Sequence, residues 1–247
     1  MCGRFLLSMI PEEYAGLLRI AHLPALGAEL FQPRMNIAPT QQIVIARVDD
    51  EGERRLDAAR WGMIPHWAKS IEEIKRPIFN ARSETLWDKP MFKDAAKHRR
   101  CVVPASGFYE WQKAETPRGR KQPHLIRRRD SSPMFFAGVW SAWSPKDGDQ
   151  ADTISSCAIL TTVPNEAMAP IHDRMPVILD SASSLDLWLD HAMTNELALK
   201  NLLRPTPPET LAVIPIDTVG DNRRTHEGPD TEFNTDGGSL FDLLDDP

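Results

Sequence analysis

The sequence predicts an α+β fold, a single β-rich domain in which twisted mixed or antiparallel sheets form a barrel-like core with peripheral helices. Three observations predict this class. Short runs of β-branched and aromatic residues recur along most of the chain, with turn residues between them. Patterns typical of helices are few and short. Apart from Gly237-Gly238 near the end of the chain, the 13 glycines are scattered singly and form no phosphate-binding loop, and we find no internal repeat.

The predicted strands are bounded by proline, glycine or acidic turn residues. Residues 42–48 and 54–61 flank an Asp/Glu/Gly turn, so we expect them to pair with each other. Residues 99–111 predict two strands joined by a turn at Ser106-Gly107. The other predicted strands cover residues 77–85, 123–129, 134–143, 157–162, 176–179 and 211–219.

Helical patterns occupy the remaining periodic stretches. Residues 8–30 carry Pro11 and two glutamates at a first turn, followed by apolar residues at helical spacing. Residues 31–40 contain two prolines and are expected to form an extended loop. Shorter helices are expected at residues 91–98, 181–190 and 195–203.

Length and composition limit the class of protein. The 247 residues suit one large domain, which we expect over residues 1–219, followed by an acidic and flexible tail over residues 220–247. The net charge of −6 is not typical of a protein that coats nucleic acid, so any phosphate contact must come from a local group of arginines. No apolar run approaches the roughly 20 residues of a membrane span, and we therefore expect a cytoplasmic protein without membrane contact.

The cysteines indicate neither a disulfide framework nor a metal centre. The chain has three of them, an odd number, at the widely spaced positions Cys2, Cys101 and Cys157. No pair has the spacing of a structural zinc site. We expect reduced thiols, no metal and no cofactor.

The opening residues, Met1-Cys2-Gly3-Arg4, predict a specific chemistry. A start methionine is trimmed when the next side chain is small, which would leave Cys2 with a free α-amine. The ordinary pKa values of that amine and of the thiol are about 7.7 to 8.0 and about 8.5, so both are partly deprotonated near neutrality. An amine and a thiol two carbons apart condense with an aldehyde to an imine and then a thiazolidine. Arg4 would hold an anion or lower both pKa values. Alternatively, Cys2 is only a buried apolar residue.

Two strands carry further polar candidates. Asn80, Arg82 and Glu84 alternate along a predicted strand, so their side chains are expected on one side of it. Such a row is either a solvated face or one wall of a pocket. Glu110 stands between two aromatic residues, which predicts that burial raises its pKa toward neutrality. The alternative is an exposed strand glutamate.

Two loops add aromatic and acid/base candidates. Trp61 and Trp67 lie close together beside glycine and proline, so each belongs either to the core or to a platform on which a base can stack. His172 and Asp173 precede Arg174 in a loop before a short apolar strand. Alone, that triplet is weak evidence for an acid/base group.

Six blocks of residues, taken in order, resemble the SOS response-associated peptidase (SRAP) family. The resemblance extends from residue 2 to about residue 180 and is weak beyond it. The family acts as a suicide sensor of abasic sites in single-stranded DNA, and the resemblance implies that activity here. The blocks are Cys2-Gly3-Arg4-Phe5, Asn36-Ile37-Ala38-Pro39, Trp61-Gly62 with Pro65, Asn80-Ala81-Arg82-Ser83-Glu84-Thr85, Arg100-Cys101 with Gly107-Phe108-Tyr109-Glu110-Trp111, and His172-Asp173-Arg174-Met175-Pro176.

The resemblance also implies roles for the candidate catalytic residues. Cys2 would be the nucleophile that captures the aldehyde of the opened deoxyribose in a thiazolidine crosslink. Glu110 would be the acid/base that assists sugar opening and imine formation. His172 would shuttle protons during ring opening and reversal, and Asn80 would orient the sugar and the N-terminal amine.

A second set of positions matches the DNA contacts of the family. Arginines at three positions would hold phosphates, and four other residues would line the strand and bracket the lesion. One departure is Pro90, where the family often has a basic residue; Lys89 is a candidate substitute for that phosphate contact. The arginines are Arg4, Arg82 and Arg174, and the other positions are Asn36, Pro39, Trp67 and Thr161.

The expected partner is single-stranded DNA that contains an abasic site, bound by a monomer that associates with the nucleoid when on DNA. The family name suggests peptidase-like removal of the residue before Cys2. Because only Met1 precedes Cys2, ordinary methionine trimming would suffice, although the same thiol could act autocatalytically.

Two other functions remain open from the sequence. An N-terminal-nucleophile hydrolase, such as a glutamine amidotransferase domain, also begins with Cys-Gly and uses the α-amine as base. That class needs an Asn-Gly pair for its oxyanion hole, and this chain has no Asn-Gly dipeptide. The second alternative is a non-covalent reader of modified bases.

Overall fold

The computed structural model describes residues 2–65, 67–74, 76–114, 119–145 and 153–219. Met1 and the expected acidic tail lie outside these ranges. The strands are β1 (Arg4–Leu7), β2 (Arg34–Ile37), β3 (Gln42–Val48), β4 (Arg54–Trp61), β5 (Asn80–Arg82), β6 (Arg100–Ala105), β7 (Gly107–Gln112), β8 (Gln122–Arg128), β9 (Met134–Trp143), β10 (Ile154–Thr162), β11 (Met175–Pro176) and β12 (Leu211–Pro215). The helices are α1 (Pro11–Leu17), α2 (Ala28–Phe31), α3 (Pro90–His98), α4 (Ala182–Leu189) and α5 (Glu196–Leu202).

Five strands close into a barrel. They pair in the order β10, β4, β3, β6 and β9, and β9 pairs back onto β10. The contact between β4 and β10 is parallel and the others are antiparallel, so the barrel is mixed. Beyond β4, strand β10 also pairs with β5 in parallel and with β11 antiparallel. This extension carries candidate residues of the site at the end of β10.

The second sheet is antiparallel and has the strand order β12, β8, β7, β1 and β2. Its inner face packs against the barrel through Phe5 and Phe108. The ring centroid of Phe5 lies 5.1 Å from that of Trp61, and the centroid of Phe108 lies 6.0 Å from that of Phe136. Because side chains alternate along a strand, the next residue, Leu6, is buried on the opposite face.

The prediction of a β-rich, barrel-like domain with peripheral helices is confirmed. Strands β3, β4 and β9 have the predicted bounds. Buried arginine anchors the helices that flank the barrel, because Arg100 donates hydrogen bonds to carbonyl oxygens at the ends of both α3 and α4. Among the described residues, no helix is long and apolar enough to cross a membrane.

The prediction of one long helix over residues 8–30 is wrong. Helix α1 ends early because Arg19 takes a left-handed conformation, with φ of 56°. The Ile20 amide then donates to the Ala15 carbonyl and the Arg19 amide to the Gly16 carbonyl, at 2.9 and 3.1 Å. This is the bonding pattern of a Schellman motif, although its left-handed position is more often glycine.

Two further local predictions are corrected. The expected loop over residues 31–40 contains strand β2, because residues 34–37 find hydrogen-bond partners on β1. The expected strand over residues 77–85 ends at Arg82, and a 3-10 turn follows over Ser83–Thr85. Glu84 therefore does not continue the strand alternation of Asn80 and Arg82.

Candidate functional site

Cys2 is completely buried where the second sheet meets the barrel, just before β1. Its carbonyl oxygen accepts a hydrogen bond from Asn80 Nδ2 at 3.0 Å. Asn80 begins β5, and its register partner on β10 is Ile159. The backbone of Cys2 is therefore tied to the barrel through one amide side chain.

The thiol of Cys2 is a poor nucleophile at rest. Burial raises its pKa far above the ordinary value, and the negative charge of Glu110 raises it further. The expectation that Arg4 lowers the thiol pKa is wrong, because burial dominates and the Arg4 guanidinium donates to Asn36 Oδ1 at 3.0 Å. At neutral pH the thiol is protonated and needs a base before it can attack.

Glu110 lies on β7 beside the start of the chain. The register of β1 with β7 pairs Arg4 with Tyr109, so continuing it by one residue places Gly3 opposite Glu110. Glu110 is only 3% exposed and burial raises its pKa, as predicted, but Tyr109 and Trp111 do not enclose it because they pack on the opposite face of β7. The charge of His172 opposes this rise, which places His172 within electrostatic range of Glu110.

His172 is oriented by the backbone of its own loop. Its Nδ1 lies 3.0 Å from the backbone nitrogen of Arg174 and 2.8 Å from Asp173 Oδ1. These neighbours favour different tautomers, since the amide can only donate and the carboxylate can only accept. The Asp173 side chain is 82% exposed and water screens its attraction, so the Arg174 amide determines which His172 nitrogen accepts a hydrogen bond. With Nδ1 accepting from the Arg174 amide, Nε2 is the ring nitrogen that carries the N–H.

These contacts bring the four candidate catalytic residues together. Cys2 is joined to Asn80 by a hydrogen bond, and it is coupled to Glu110 by charge. Glu110 is coupled to His172 in the same way. The arrangement places a thiol, a carboxyl of raised pKa and an imidazole near the start of the chain.

Arg174 joins the candidate DNA-binding residues at the end of β10. Its Nη1 and Nη2 donate to Glu84 Oε1 and Oε2 at 2.7 and 2.8 Å, and Nη2 also donates to the Thr161 carbonyl at 2.6 Å. Thr161 is fully buried and pairs in register with Arg82 on β5. Arg82 itself is exposed. Two cationic side chains and one buried threonine thus share this edge.

The other candidate DNA contacts lie on β2 of the second sheet and on two loops. Asn36 is 1% exposed and accepts the hydrogen bond from Arg4, so it faces that arginine rather than solvent. Pro39 is half-buried in the turn after β2. Trp67 lies in the loop after β4 and is 52% exposed, whereas Trp61 is fully buried in the core.

Two residues near the site were missed as site residues by sequence reasoning. Glu84 is the carboxylate partner of Arg174. His124 on β8 is paired in register with Glu110, is 7% exposed, and has a pKa lowered by burial. Only the tertiary structure places either residue here, because neither lies near its partner in the sequence.

The described residues do not bring together three or more His, Cys, Asp or Glu side chains in an arrangement that could hold a metal ion. Two surface clefts lie away from the Cys2 cluster. One is lined by residues of α4, α5 and the segment after α5, and the other by the loop after β4 together with the ends of β9 and β10.

A family model described as SOS response associated peptidase (SRAP) matches residues 1–221. The chain belongs to the SRAP family. Among curated SRAP-like relatives, the Bacillus subtilis abasic site processing protein YoqW is 36% identical over 219 residues, which cover 89% of this chain and 93% of the relative. The Xenopus tropicalis abasic site processing protein HMCES is 31% identical over 227 residues, covering 81% of this chain and 65% of the relative.

Solved structures share the fold of this SRAP chain. A protein from Bacteroides thetaiotaomicron superposes with a TM-score of 0.76 at 23% identity, covering 87% of this chain and 92% of its own. A phage-related protein from Bordetella bronchiseptica superposes with a TM-score of 0.67 at 27% identity, covering 88% and 95%. The SRAP chain therefore has an architecture also found in crystal structures.

Proposed function

We propose that this protein captures abasic sites in single-stranded DNA by a covalent thiazolidine link to Cys2, and that the link shields the lesion. Relatives in the same family carry the name abasic site processing protein. The observation that carries the proposal is the grouping of a thiol, a buried carboxyl and an imidazole around Cys2. An aldehyde is the electrophile that an N-terminal cysteine traps with both of its nucleophiles.

The first step joins the α-amine to the sugar. After removal of the preceding residue, the amine of Cys2 adds to the aldehyde carbon of the opened deoxyribose to give a carbinolamine. Glu110 donates its proton to the departing hydroxyl group, which leaves as water, and an iminium ion remains. Burial suits Glu110 to this role because its raised pKa keeps the carboxyl protonated to higher pH than an exposed glutamate.

The second step closes the ring. The Glu110 carboxylate takes the thiol proton of Cys2, and the sulfur bonds to the iminium carbon. The product is a five-membered thiazolidine with a neutral ring nitrogen, and Glu110 is protonated again. One water is released overall and no oxidant is consumed. A base is needed here because burial raises the pKa of the thiol.

Two residues prepare these steps. Asn80 holds the carbonyl of Cys2, which limits the positions of its amine and thiol relative to the sugar. His172, whose Nδ1 accepts from the Arg174 amide, exchanges a proton with the sugar through Nε2 during ring opening and reversal.

Arginines on both sides of Cys2 bind the DNA backbone in this proposal. Arg4, Arg82 and Arg174 hold phosphates, so binding is tolerant of sequence and sensitive to salt. Buried Asn36 and Thr161 act by orienting Arg4 and Arg174. Pro39 and Trp67 bracket the lesion from two loops, and Lys89 stands in for the basic residue that Pro90 replaces.

We further propose that residue 1 is removed before the reaction, by methionine trimming or by the thiol of Cys2. The protein would act as a cytoplasmic monomer that joins the nucleoid when it binds DNA. Intact-mass measurement of the purified chain checks whether the first residue is absent.

Mass spectrometry after incubation with single-stranded DNA bearing one abasic site tests the proposal. We expect an adduct that loses one water and is stable without reduction. Cys2→Ala and Cys2→Ser each keep the amine but not the thiol, so each should give only an imine that borohydride can trap. Cys157→Ala is the matched control, because it removes a buried thiol without an adjacent α-amine.

The same assay separates the alternatives. A wild-type chain with a free Cys2 amine that forms no adduct would contradict the proposal. Release of ammonia from glutamine in place of an adduct would identify an amidotransferase-like hydrolase. Reversible binding of modified DNA without an adduct would identify a non-covalent reader.

A further inference from the structure

Glu84 lies in the 3-10 turn that directly follows β5, the strand whose first residue, Asn80, holds Cys2. The Glu84 side chain is 44% exposed, yet both of its carboxylate oxygens accept hydrogen bonds from Arg174. The interaction with Arg174 lowers the pKa of Glu84 and keeps its carboxylate ionised. The turn after β5 is therefore bonded to the loop that carries His172.

Arg174 receives this bond in a mostly enclosed position. Its side chain is 12% exposed, and Nη2 also donates to the Thr161 carbonyl. Within the part of the chain that the structure describes, Nε is buried and has no hydrogen-bond partner. Glu84 is thus the carboxylate that fixes the orientation of the guanidinium, since the Thr161 carbonyl engages only one of its nitrogens.

The backbone of the same arginine orients His172. The Arg174 amide donates to His172 Nδ1 at 3.0 Å, which sets the ring position and its tautomer. A displaced Arg174 would therefore release the imidazole as well. The contacts form a continuous path from Glu84 through Arg174 to His172, and Asn80 at the other end of β5 holds Cys2.

We propose that Glu84 is a positioning residue for the reaction at Cys2. By accepting two hydrogen bonds from Arg174, it keeps the His172 ring aligned with Cys2 and Glu110. This inference rests on the abasic-site capture proposed above. Glu84 touches neither the sugar nor the reacting atoms, and it acts through Arg174.

The geometry distinguishes this pair from an ordinary surface ion pair. Two parallel hydrogen bonds fix the orientation of both groups, and the enclosed guanidinium is poorly screened. Lys200 and Glu196 provide the contrast, because they form a single i,i+4 pair on α5 with both side chains about half exposed. Pairs of that kind contribute little to structure.

Adduct formation in the full chain with a free Cys2 amine tests the inference. We expect Glu84→Gln to lower the maximal rate at saturating abasic single-stranded DNA by about tenfold, a size typical of small misplacements of catalytic groups. The maximal rate is the measure, because the DNA concentration for half-maximal rate also depends on Arg174, which is proposed to hold a phosphate. Glu196→Gln is the control and should keep the wild-type rate. A wild-type maximal rate in Glu84→Gln would overturn the inference.

A double-mutant cycle checks that Glu84 acts through Arg174. Arg174→Lys removes the guanidinium group whose two nitrogens bond the two oxygens of Glu84. Adding Glu84→Gln to this variant should therefore cause no further loss of rate. Fully additive losses would overturn the inference. If Glu84→Gln fails to fold, Glu84→Asp replaces it. This variant keeps the charge, but its side chain is one methylene too short to form both hydrogen bonds. A wild-type rate in Glu84→Asp would also overturn the inference.

One readout does not depend on the reaction. The imidazole nitrogen resonances of His172 in a ¹⁵N-histidine NMR spectrum should shift or broaden in Glu84→Gln and stay unchanged in Glu196→Gln. Unchanged resonances in both variants would overturn the positioning role. Absence of a wild-type adduct, combined with shifted resonances, would instead reject the capture reaction and leave the positioning role intact.

Discussion

Asn80 donates its side-chain amide to the carbonyl oxygen of Cys2 across 78 residues of sequence, with Nδ2 and O 3.0 Å apart. The bond joins the first residue of β5 to the residue on which the proposed chemistry depends. Because the partner is a backbone carbonyl, the contact orients the backbone of Cys2 and does not engage its thiol.

Asn80→Asp should therefore misplace Cys2. The new carboxylate cannot donate and would repel the Cys2 carbonyl. We expect the maximal rate of adduct formation to fall about 10- to 100-fold, and the free energy of unfolding to fall by about 1 kcal/mol. Asn201→Asp on α5 is the control, because its side-chain oxygen accepts from Arg204 and an aspartate can do the same. An unaltered rate in Asn80→Asp would contradict the orienting role.

Glu110 should make stability depend on pH. Its pKa is raised in the folded protein above the ordinary value of 4.5, so the native state binds the proton more tightly than the unfolded state. The free energy of unfolding should therefore decline as pH rises from about 4.5 through the folded pKa, and then level off.

Glu110→Gln removes this ionisation and should lack that part of the decline. Urea unfolding of the wild type and the variant at a series of pH values measures the difference. Parallel stability curves for the two proteins would show that Glu110 is not the group responsible.

Arg82 should contribute to the salt dependence of DNA binding. It is exposed beside buried Thr161, where a phosphate can approach it. Arg82→Gln should weaken binding of undamaged single strands uniformly across sequences, and it should reduce the slope of log K against log salt by about 0.7. Fluorescence anisotropy at several salt concentrations gives the slope. Arg204→Gln, in the segment after α5, should leave the slope unchanged, and an equal change in both variants would argue against a specific contact.

Arg100 should be essential for stability but not for chemistry. Its guanidinium is 4% exposed and donates to the carbonyls of Ala96, Lys97, Trp188, Asp190 and Met193. A cation at two helix C-termini is favourable, and its loss would leave several buried carbonyls unpaired.

Arg100→Met should thus lower the free energy of unfolding by about 3 kcal/mol. Urea denaturation measures the loss. A reduction below about 1 kcal/mol would mean that water or other groups replace the guanidinium.

Local patterns were sufficient for much of the fold. The β-branched runs at residues 42–48, 54–61 and 134–143 form strands with those bounds, because pattern and turn residues agree there. The predicted burial and raised pKa of Glu110 are also found, although its aromatic neighbours pack on the other face of β7 and do not cause them. The prediction of one helix over residues 8–30 was wrong because the helical pattern of apolar residues continues past Arg19. Arg19 takes a left-handed conformation, which is unusual for a residue other than glycine.

The partners within the site could not be read from local patterns. Glu84 looked like the next member of an alternating strand, but the strand ends at Arg82 and its carboxylate meets Arg174, 90 residues away. His124 reaches Glu110 only through the register of β8 with β7. Such contacts depend on which strands pair and at what offset, and a shift of one residue would turn each side chain to the other face.

The amino-acid sequence by itself determined the chemical groups at hand: a thiol that would adjoin an α-amine once residue 1 is removed, Arg4 two residues after it, and a glutamate between aromatic residues. Only the tertiary structure decided that Asn80 donates a hydrogen bond to Cys2, that burial raises the thiol pKa despite Arg4, and that Glu84 accepts hydrogen bonds from Arg174. The reason is physical. Composition and spacing specify local conformation, whereas hydrogen-bond partners and desolvation arise when strands distant in sequence pair and exclude water.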